Sequence, residues 1–450
     1  MHKIGFHRSH SHSSNEANEA NDVKDVNASG TGTTFASINT AARGTKPTPS
    51  RDGLSLIYTP SLTHPGSKID GIVCVDLGVV SQKNVEEVVV ELIGVVKTRV
   101  MVSTGETVMT FYGKNEFLSQ SLSIYRSSDN VPPSSEVVQY PFSFTIPSDH
   151  SLPPSHAFQS SSHQAKGSVQ YHVKVTGKKA AWYKSNVRLY GPFPFLPFDD
   201  GNGVGRREMK GVQTRVLREE MSMRKGLLFG GHAKVLVEVS LPDLPSLPLF
   251  TSTPISIRLQ TFSKPLPHSS SSDPSSFTFP LPPTSASDID FILLQKTFVN
   301  AKGNTEKRTT EFSGVGGFGK AGKGLETVVR VGDGRGGGEG KPRVTVGEVI
   351  WVDEGGGEGK EGRWSQDVSF DSSFELCGSP SFDMGILEMH YMFELKIAFP
   401  GVGNTFKMKI DPRRVSSGIS STDLIGKVEI PPAYWDVVDP DDDHEHYDKK

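Results

Sequence analysis

The chain has 450 residues, room for two or three domains that each bury an ordinary core. Hydrophobic residues are 35% of it, below the ~45–50% of typical globular chains, because 46 glycines, 30 prolines and several serine runs gather in stretches unable to pack. A net charge of −3 leaves no cationic excess to displace counterions from phosphates, which argues against nucleic-acid binding.

Two cysteines, Cys74 and Cys377, lack metal-ligand spacing and are too few for a disulfide framework, so reduced thiols are expected. No stretch approaches the ~18 uninterrupted apolar residues of a membrane span. The first 25 residues have no apolar signal-peptide core, and His2 stands where myristoylation requires glycine. These features predict a cytoplasmic protein without direct membrane insertion.

Taken in chain order, residues 1–52 are polar and aperiodic and are expected to be disordered. Apolar strands follow at Leu56-Ile57-Tyr58, Ile69–Val73 and Val88–Ile93. Tyr140-Phe142-Phe144-Ile146 and Val169-Tyr171-Val173-Val175 alternate strictly, placing apolar side chains on one sheet face. Between them lies Leu152-Pro153-Pro154-Ser155, where two prolines can neither donate to a ladder nor continue a strand. The chain must therefore cross from one sheet to another there, as in a β-sandwich. A first domain at 53–198 and a Gly-Asp linker at 199–208 are read from these signals.

The second domain, 209–430, contains alternating runs at Val235–Leu241, Ile255–Leu259, Leu387–Phe399 and Phe406–Ile410. Two insertions interrupt it: a Pro/Ser-rich one at 264–288, read as a long exposed loop, and a glycine-rich one at 313–362 with a short strand pair near 325–331 and 344–352. One short helix is expected at 216–228, and an acidic tail at 431–450.

The wording of the first domain resembles the arrestin family. Pro65-Gly66, the Gly71-x-Val73 strand, Val90-x-Leu92-x-Gly94, Leu152-Pro153-Pro154-Ser155 and Gly167-x-Val169-x-Tyr171 carry the resemblance. It is most like the arrestin-domain-containing, or α-arrestin, branch. The resemblance implies an all-β fold of two tandem immunoglobulin-like β-sandwich domains, arrestin-like N and C domains, and a non-enzymatic adaptor role. The second half carries less of the wording: its proline turn, Ser379-Pro380-Ser381, lacks the double proline.

Pro431-Pro432-Ala433-Tyr434 matches the P-P-x-Y ligand of WW domains, in which paired prolines preset a polyproline-II backbone and the tyrosine fills a neighbouring pocket. The resemblance supplies the partners: a WW-domain HECT-type ubiquitin ligase and the cytoplasmic tails of membrane proteins, with recruitment to the plasma membrane or endosomes. The alternative is an arrestin-fold trafficking scaffold that docks proteins without a ligase. A basic cargo patch is read at Lys97, Arg99, Lys174, Lys178, Lys179, Lys184 and Arg188, and a phosphorylation site at Ser416, which follows Arg413-Arg414.

No catalytic residue, metal site or cofactor is predicted. Gly314-x-Gly316-x-x-Gly319 spells a dinucleotide fingerprint, but glycine continues on both sides and no helix can start there to receive a phosphate. The adjacent Walker-like run has Gly324 where a magnesium-binding hydroxyl belongs, so both are read as low-complexity loop. His7, His10 and His12 lack carboxylate or thiol partners, and Asp439, Asp441 and Asp443 lack the glycine and distal glutamate of a calcium loop.

Overall fold

The computed structural model describes residues 51–419, apart from 60, 129–136, 149–150, 181–184, 200–208, 210, 227–231, 321–326, 331–341, 355–360, 377 and 402. The expected N-terminal disorder and acidic tail lie outside these residues, as does Cys377. Eight strands come first: β1 (Leu54–Tyr58), β2 (Lys68–Asp76), β3 (Val85–Thr104), β4 (Thr107–Arg126), β5 (Val137–Thr145), β6 (His156–Gln159), β7 (Ala165–Lys179) and β8 (Val187–Phe193). They form a sheet β1-β2-β5 and a facing sheet β4-β3-β7-β6, with β8 also on β7. The two alternating strands around the double proline, β5 and β7, lie in different sheets, as the proline block requires.

The second set opens with β9 (Thr214–Met223), β10 (Ala233–Pro242), β11 (Leu247–Pro248), β12 (Thr253–Phe262), β13 (Leu266–Pro267), β14 (Ile289–Ala301) and β15 (Asn304–Phe312). It continues with β16 (Thr327–Arg330), β17 (Arg343–Asp353), β18 (Glu361–Phe374), β19 (Phe382–Asp383), β20 (Leu387–Ala398), β21 (Thr405–Ile410) and β22 (Val415–Ser416). One sheet runs β16-β17-β18-β12-β10-β9 and the other β15-β14-β20-β19, with β21 on β20. The architecture is all-β, with tandem sandwiches. Among the described residues no ladder joins the two sets, and on that pattern we propose the domain division 53–198 and 209–430.

Each sandwich is closed by the same device. In the first, Tyr171 of β7 is 1% exposed and its Oη donates to the Pro153 carbonyl at 2.6 Å. Two residues on, Ser155 N donates to Phe195 O at 2.9 Å, and Phe195 N donates back to Ser155 Oγ at 2.9 Å. In the second, Tyr391 of β20 donates to Ser379 O at 2.9 Å. Ser381 N donates to Val415 O at 2.8 Å, and Val415 N to Ser381 Oγ at 3.1 Å. Burial pushes both phenols well above their ordinary pKa, so they remain donors at any ordinary pH. The second clasp works without a double proline, because a tyrosine and a serine make its bonds.

Three expectations are corrected. Residues 214–223 form edge strand β9 rather than a helix, since ten backbone pairings with β10 outweigh local propensity. The insertion at 264–288 is not simply an exposed loop: β13 pairs with β18, Phe277 is buried, and Trp364 Nε1 donates to Ser276 Oγ at 2.7 Å. Part of the glycine-rich insertion is core structure. Gly314, Gly316, Gly317 and Gly319 all take positive φ, which glycine adopts without steric cost, and so turn Phe318 inward. Phe318 is fully buried against Phe291, which also packs on Phe374 and Phe393. Within that insertion the expected strand pair is present as β16 and β17, running parallel.

A six-residue helix, Leu77–Gln82, was not expected from the sequence; Asp76 caps it by accepting from Val79 N at 3.0 Å. Cys74 is buried, and burial pushes its thiol pKa up, which makes it unreactive.

Tyr171→Phe and Tyr391→Phe should each lower stability by about 1–3 kcal/mol, the cost of stranding a buried carbonyl. Urea unfolding would check this; a loss confined to Tyr171→Phe would show that the second clasp does not hold its sandwich closed.

Candidate functional site

The sheet β4-β3-β7 has one face in the core and one outward. Val96, Thr98 and Val100 point in and are buried, so Lys97 and Arg99 point out. The register places Lys97 between Lys114 of β4 and Ser168 of β7, and Arg99 between Tyr112 and Lys166. Four cations thus occupy adjacent cross-strand positions. Their side chains give this part of the face a cationic character that complements an anionic ligand.

Lys114 reaches this position through a β-bulge. The pairing shifts between Gly94↔Leu118 and Val95↔Glu116, leaving Phe117 as the extra residue. Without that shift Lys97 would face Asn115. Phe117 turns inward, with its ring 5.4 Å from that of Tyr171, over Gly94. A Cβ on Gly94 would lie 2.6 Å from the Phe117 ring, so the bulge needs glycine there.

The remaining predicted patch residues do not join this group. Lys174 pairs with Glu91 at 3.4 Å and Lys178 with Glu87 at 2.8 Å. The Lys178 hydrogen bond holds the Glu87 carboxyl below its usual pKa, which keeps the pair ionised. Arg188 lies opposite Thr176, eight residues along β7 from Ser168, or roughly 25 Å at ~3.3 Å per residue. Lys179 neighbours Lys178 at the strand end, where its backbone N–H donates to Asn186 Oδ1. Lys184, Pro431, Pro432 and Tyr434 lie outside the described residues, as do the histidine and aspartate clusters of the two tails.

The cationic strand ends are held rigid from behind. Thr98 Oγ1 donates to Asn300 O of β14 at 2.6 Å. Gly167 lies so close to Leu387 of β20 that a Cβ would come within 2.5 Å of its side chain. Arg308 of β15 donates to Ser162 Oγ at 3.1 Å. The face that presents Lys97 and Arg99 is therefore backed by the second sandwich.

The two clasps meet at this seam. His156 follows Ser155 and Phe382 follows Ser381, and their rings stand 5.1 Å apart, edge to face. His156 is 7% exposed, and its Nε2 has no hydrogen-bond partner. Burial lowers its pKa to about 4, because nothing there compensates an imidazolium for lost water. Beside it a cleft of about 530 Å³ is walled by both proline turns, Phe198, Asp199 and the strand end at Arg414–Ser417. Ser416 Oγ donates to Asp199 Oδ2 at 2.9 Å, and Asp199 N to Ile419 O at 2.8 Å.

Residues 59–189 match the family model of the arrestin (or S-antigen) N-terminal domain. The first sandwich is arrestin-like. The domain family it matches is a non-enzymatic scaffold fold. The match begins just after β1, runs into β8 and takes in both the cationic face and Tyr171 of the first clasp. It covers 131 of 450 residues and stops before the second sandwich. No curated protein matches the chain. Among the described residues no helix is long and apolar enough to cross a membrane.

Stability should fall as pH drops from about 6.5 to about 4, because the unfolded imidazole of His156 takes up a proton that the folded one refuses. This group's share of the loss should reach roughly 3 kcal/mol and level off below the folded pKa. Urea titrations at pH 7, 5.5 and 4 would measure it, and His156→Phe should flatten that part of the profile. An unchanged slope in the variant would mean another group titrates.

Proposed function

We propose that the protein is a non-enzymatic, arrestin-like adaptor that joins membrane-protein cargo to a WW-domain HECT-type ubiquitin ligase for ubiquitination, endocytosis and sorting. The observation that carries the cargo half is the cluster Lys97, Arg99, Lys114 and Lys166 on the outward sheet face, whose grouped cationic side chains complement an anionic ligand. Acidic or phosphorylated cytoplasmic tails have the matching chemistry, since each phosphate brings about −1.5 to −2 charge and several acceptor oxygens.

The ligase half rests on Pro431-Pro432-Ala433-Tyr434 in an acidic, proline-interrupted stretch. The mechanism is proximity: an adaptor that holds cargo and ligase together raises the concentration of one near the other. With one motif copy there is no avidity, so the ligase contact is transient. The adaptor works in the cytoplasm and reaches the plasma membrane or endosomes by binding cargo.

Fluorescence polarisation with a phosphorylated cytoplasmic-tail peptide tests the first half. The double substitution Lys97→Glu/Arg99→Glu should weaken binding about tenfold or more, whereas Lys174→Gln/Lys178→Gln, which alters lysines outside the cluster at Glu91 and Glu87, should change it less than about twofold. Equal losses from both pairs would refute the assigned face. For the second half, Tyr434→Ala should abolish capture by a purified WW domain and leave the β-rich circular dichroism intact. Undiminished capture of that variant would remove the ligase from the proposal.

A further inference from the structure

We propose that Ser416 is a phosphorylation site whose modification opens the seam between the two sandwiches. Ser416 Oγ is the donor to Asp199 Oδ2 at 2.9 Å, and Asp199 is only 8% exposed. Asp199 stands where the first sandwich ends, and its own N–H holds Ile419 O at 2.8 Å. One residue therefore ties the exit of the first sandwich to the end of the second, through one side-chain and one backbone bond. Ile419 packs with Leu196, Leu62, Phe198 and Phe250 in a small apolar cluster apart from the main core.

Phosphorylation cannot coexist with this tie. The Ser416 Oγ–P bond forms as the bond between the γ-phosphorus of ATP and its bridging oxygen breaks. ADP leaves, and the hydroxyl proton passes to the kinase's base and then to solvent. The donor that Asp199 accepts from is gone, and a group of about −1.5 to −2 charge takes its place beside a buried carboxylate. Like charges so placed repel and drive β22 away from the segment that carries Asp199.

The flanking chemistry names the enzyme class. Arg413 and Arg414 lie three and two residues before Ser416, so a serine/threonine kinase with an acidic substrate groove would recognise the site. In the closed state β22 is paired on both sides: Leu249 N donates to Ser416 O, and Ser381 N to Val415 O. Arg413 is also engaged, by Asp243 at 3.0 Å and Leu244 O at 3.1 Å. The kinase must capture a peeled form of β22, and phosphate then prevents re-closure. Closure and modification oppose each other reciprocally, as coupled equilibria must. Because Val415 is half of the second clasp, release of β22 reaches Ser381 and Phe382 and so the contact with His156.

The inference stands independently of ligase recruitment, and its test reads neither WW binding nor cargo. The full chain and a peptide of residues 411–419 are incubated with a purified basophilic kinase catalytic subunit and Mg-ATP. Mass spectrometry maps the phosphate, and hydrogen exchange follows the amides of Asp199, Leu249 and Ser381. Phosphate at Ser416 with at least about tenfold faster exchange at these amides is expected. Asp199→Ala should raise the initial rate on the full chain roughly tenfold by removing the tie. Two results would overturn the proposal: a peptide that is modified while neither wild type nor Asp199→Ala is, or a modified chain whose three amides exchange as before.

Discussion

The structure depends on a clasp in which a buried tyrosine on a core strand donates to a proline-turn carbonyl, and a serine two residues later locks to the strand that closes the sandwich. A sandwich of antiparallel sheets has an open end wherever the chain crosses from one sheet to the other. There the backbone groups of the crossing segment have no ladder partners and must be satisfied in another way. Tyr171 and Ser155 do this in the first sandwich, and Tyr391 and Ser381 in the second. The two tyrosine bonds are buried, so losing either strands a carbonyl away from water.

The duplicated clasp also sets how the two halves meet. The residue after each serine points into the seam, so His156 and Phe382 contact one another from corresponding positions. The cleft beside them is walled by both turns, by Pro197, Phe198 and Asp199, and by β22. Any event that loosens one clasp therefore acts at the junction, and a change at the junction reaches back into a clasp. On the opposite side of the same strands, Lys97 and Arg99 face outward with Thr98 anchored to Asn300 behind them. A cationic face on a paired sheet keeps the backbone that bears its charges in place before any ligand arrives, so the ordering cost on binding is confined to the side chains.

Much of this was legible in the sequence because a strand's period of two writes burial directly into residue order. β5, β7, β10, β12 and β20 follow the alternation that announced them, and the double proline marked the sheet crossing. The expected helix at 216–228 failed because its charged residues suit either state and only pairing with β10 decided between them. The run at 314–319 within the glycine-rich insertion was read as low-complexity loop because glycine has no side chain to signal burial. What mattered there was backbone handedness around Phe318. The cationic face was half legible. Lys97 and Arg99 stood out on an apolar strand, but their grouping with Lys114 depends on the bulge at Phe117, which residue spacing alone does not record.

By itself the sequence determined the all-β class, the main strands, the sheet crossing at Pro153-Pro154 and the likeness of the first sandwich to arrestins. The class, the strands and the crossing follow from local rules of alternation and from proline's missing donor, which act between near neighbours in the chain; the likeness rests on the wording of the motifs. Tertiary structure alone decided which lysines stand together and which are neutralised by glutamates. It alone showed that the second sandwich repeats the first clasp, and that Ser416 is tied to Asp199. Those are contacts between residues tens to hundreds of positions apart, set by strand register and sheet packing, and no local pattern encodes them.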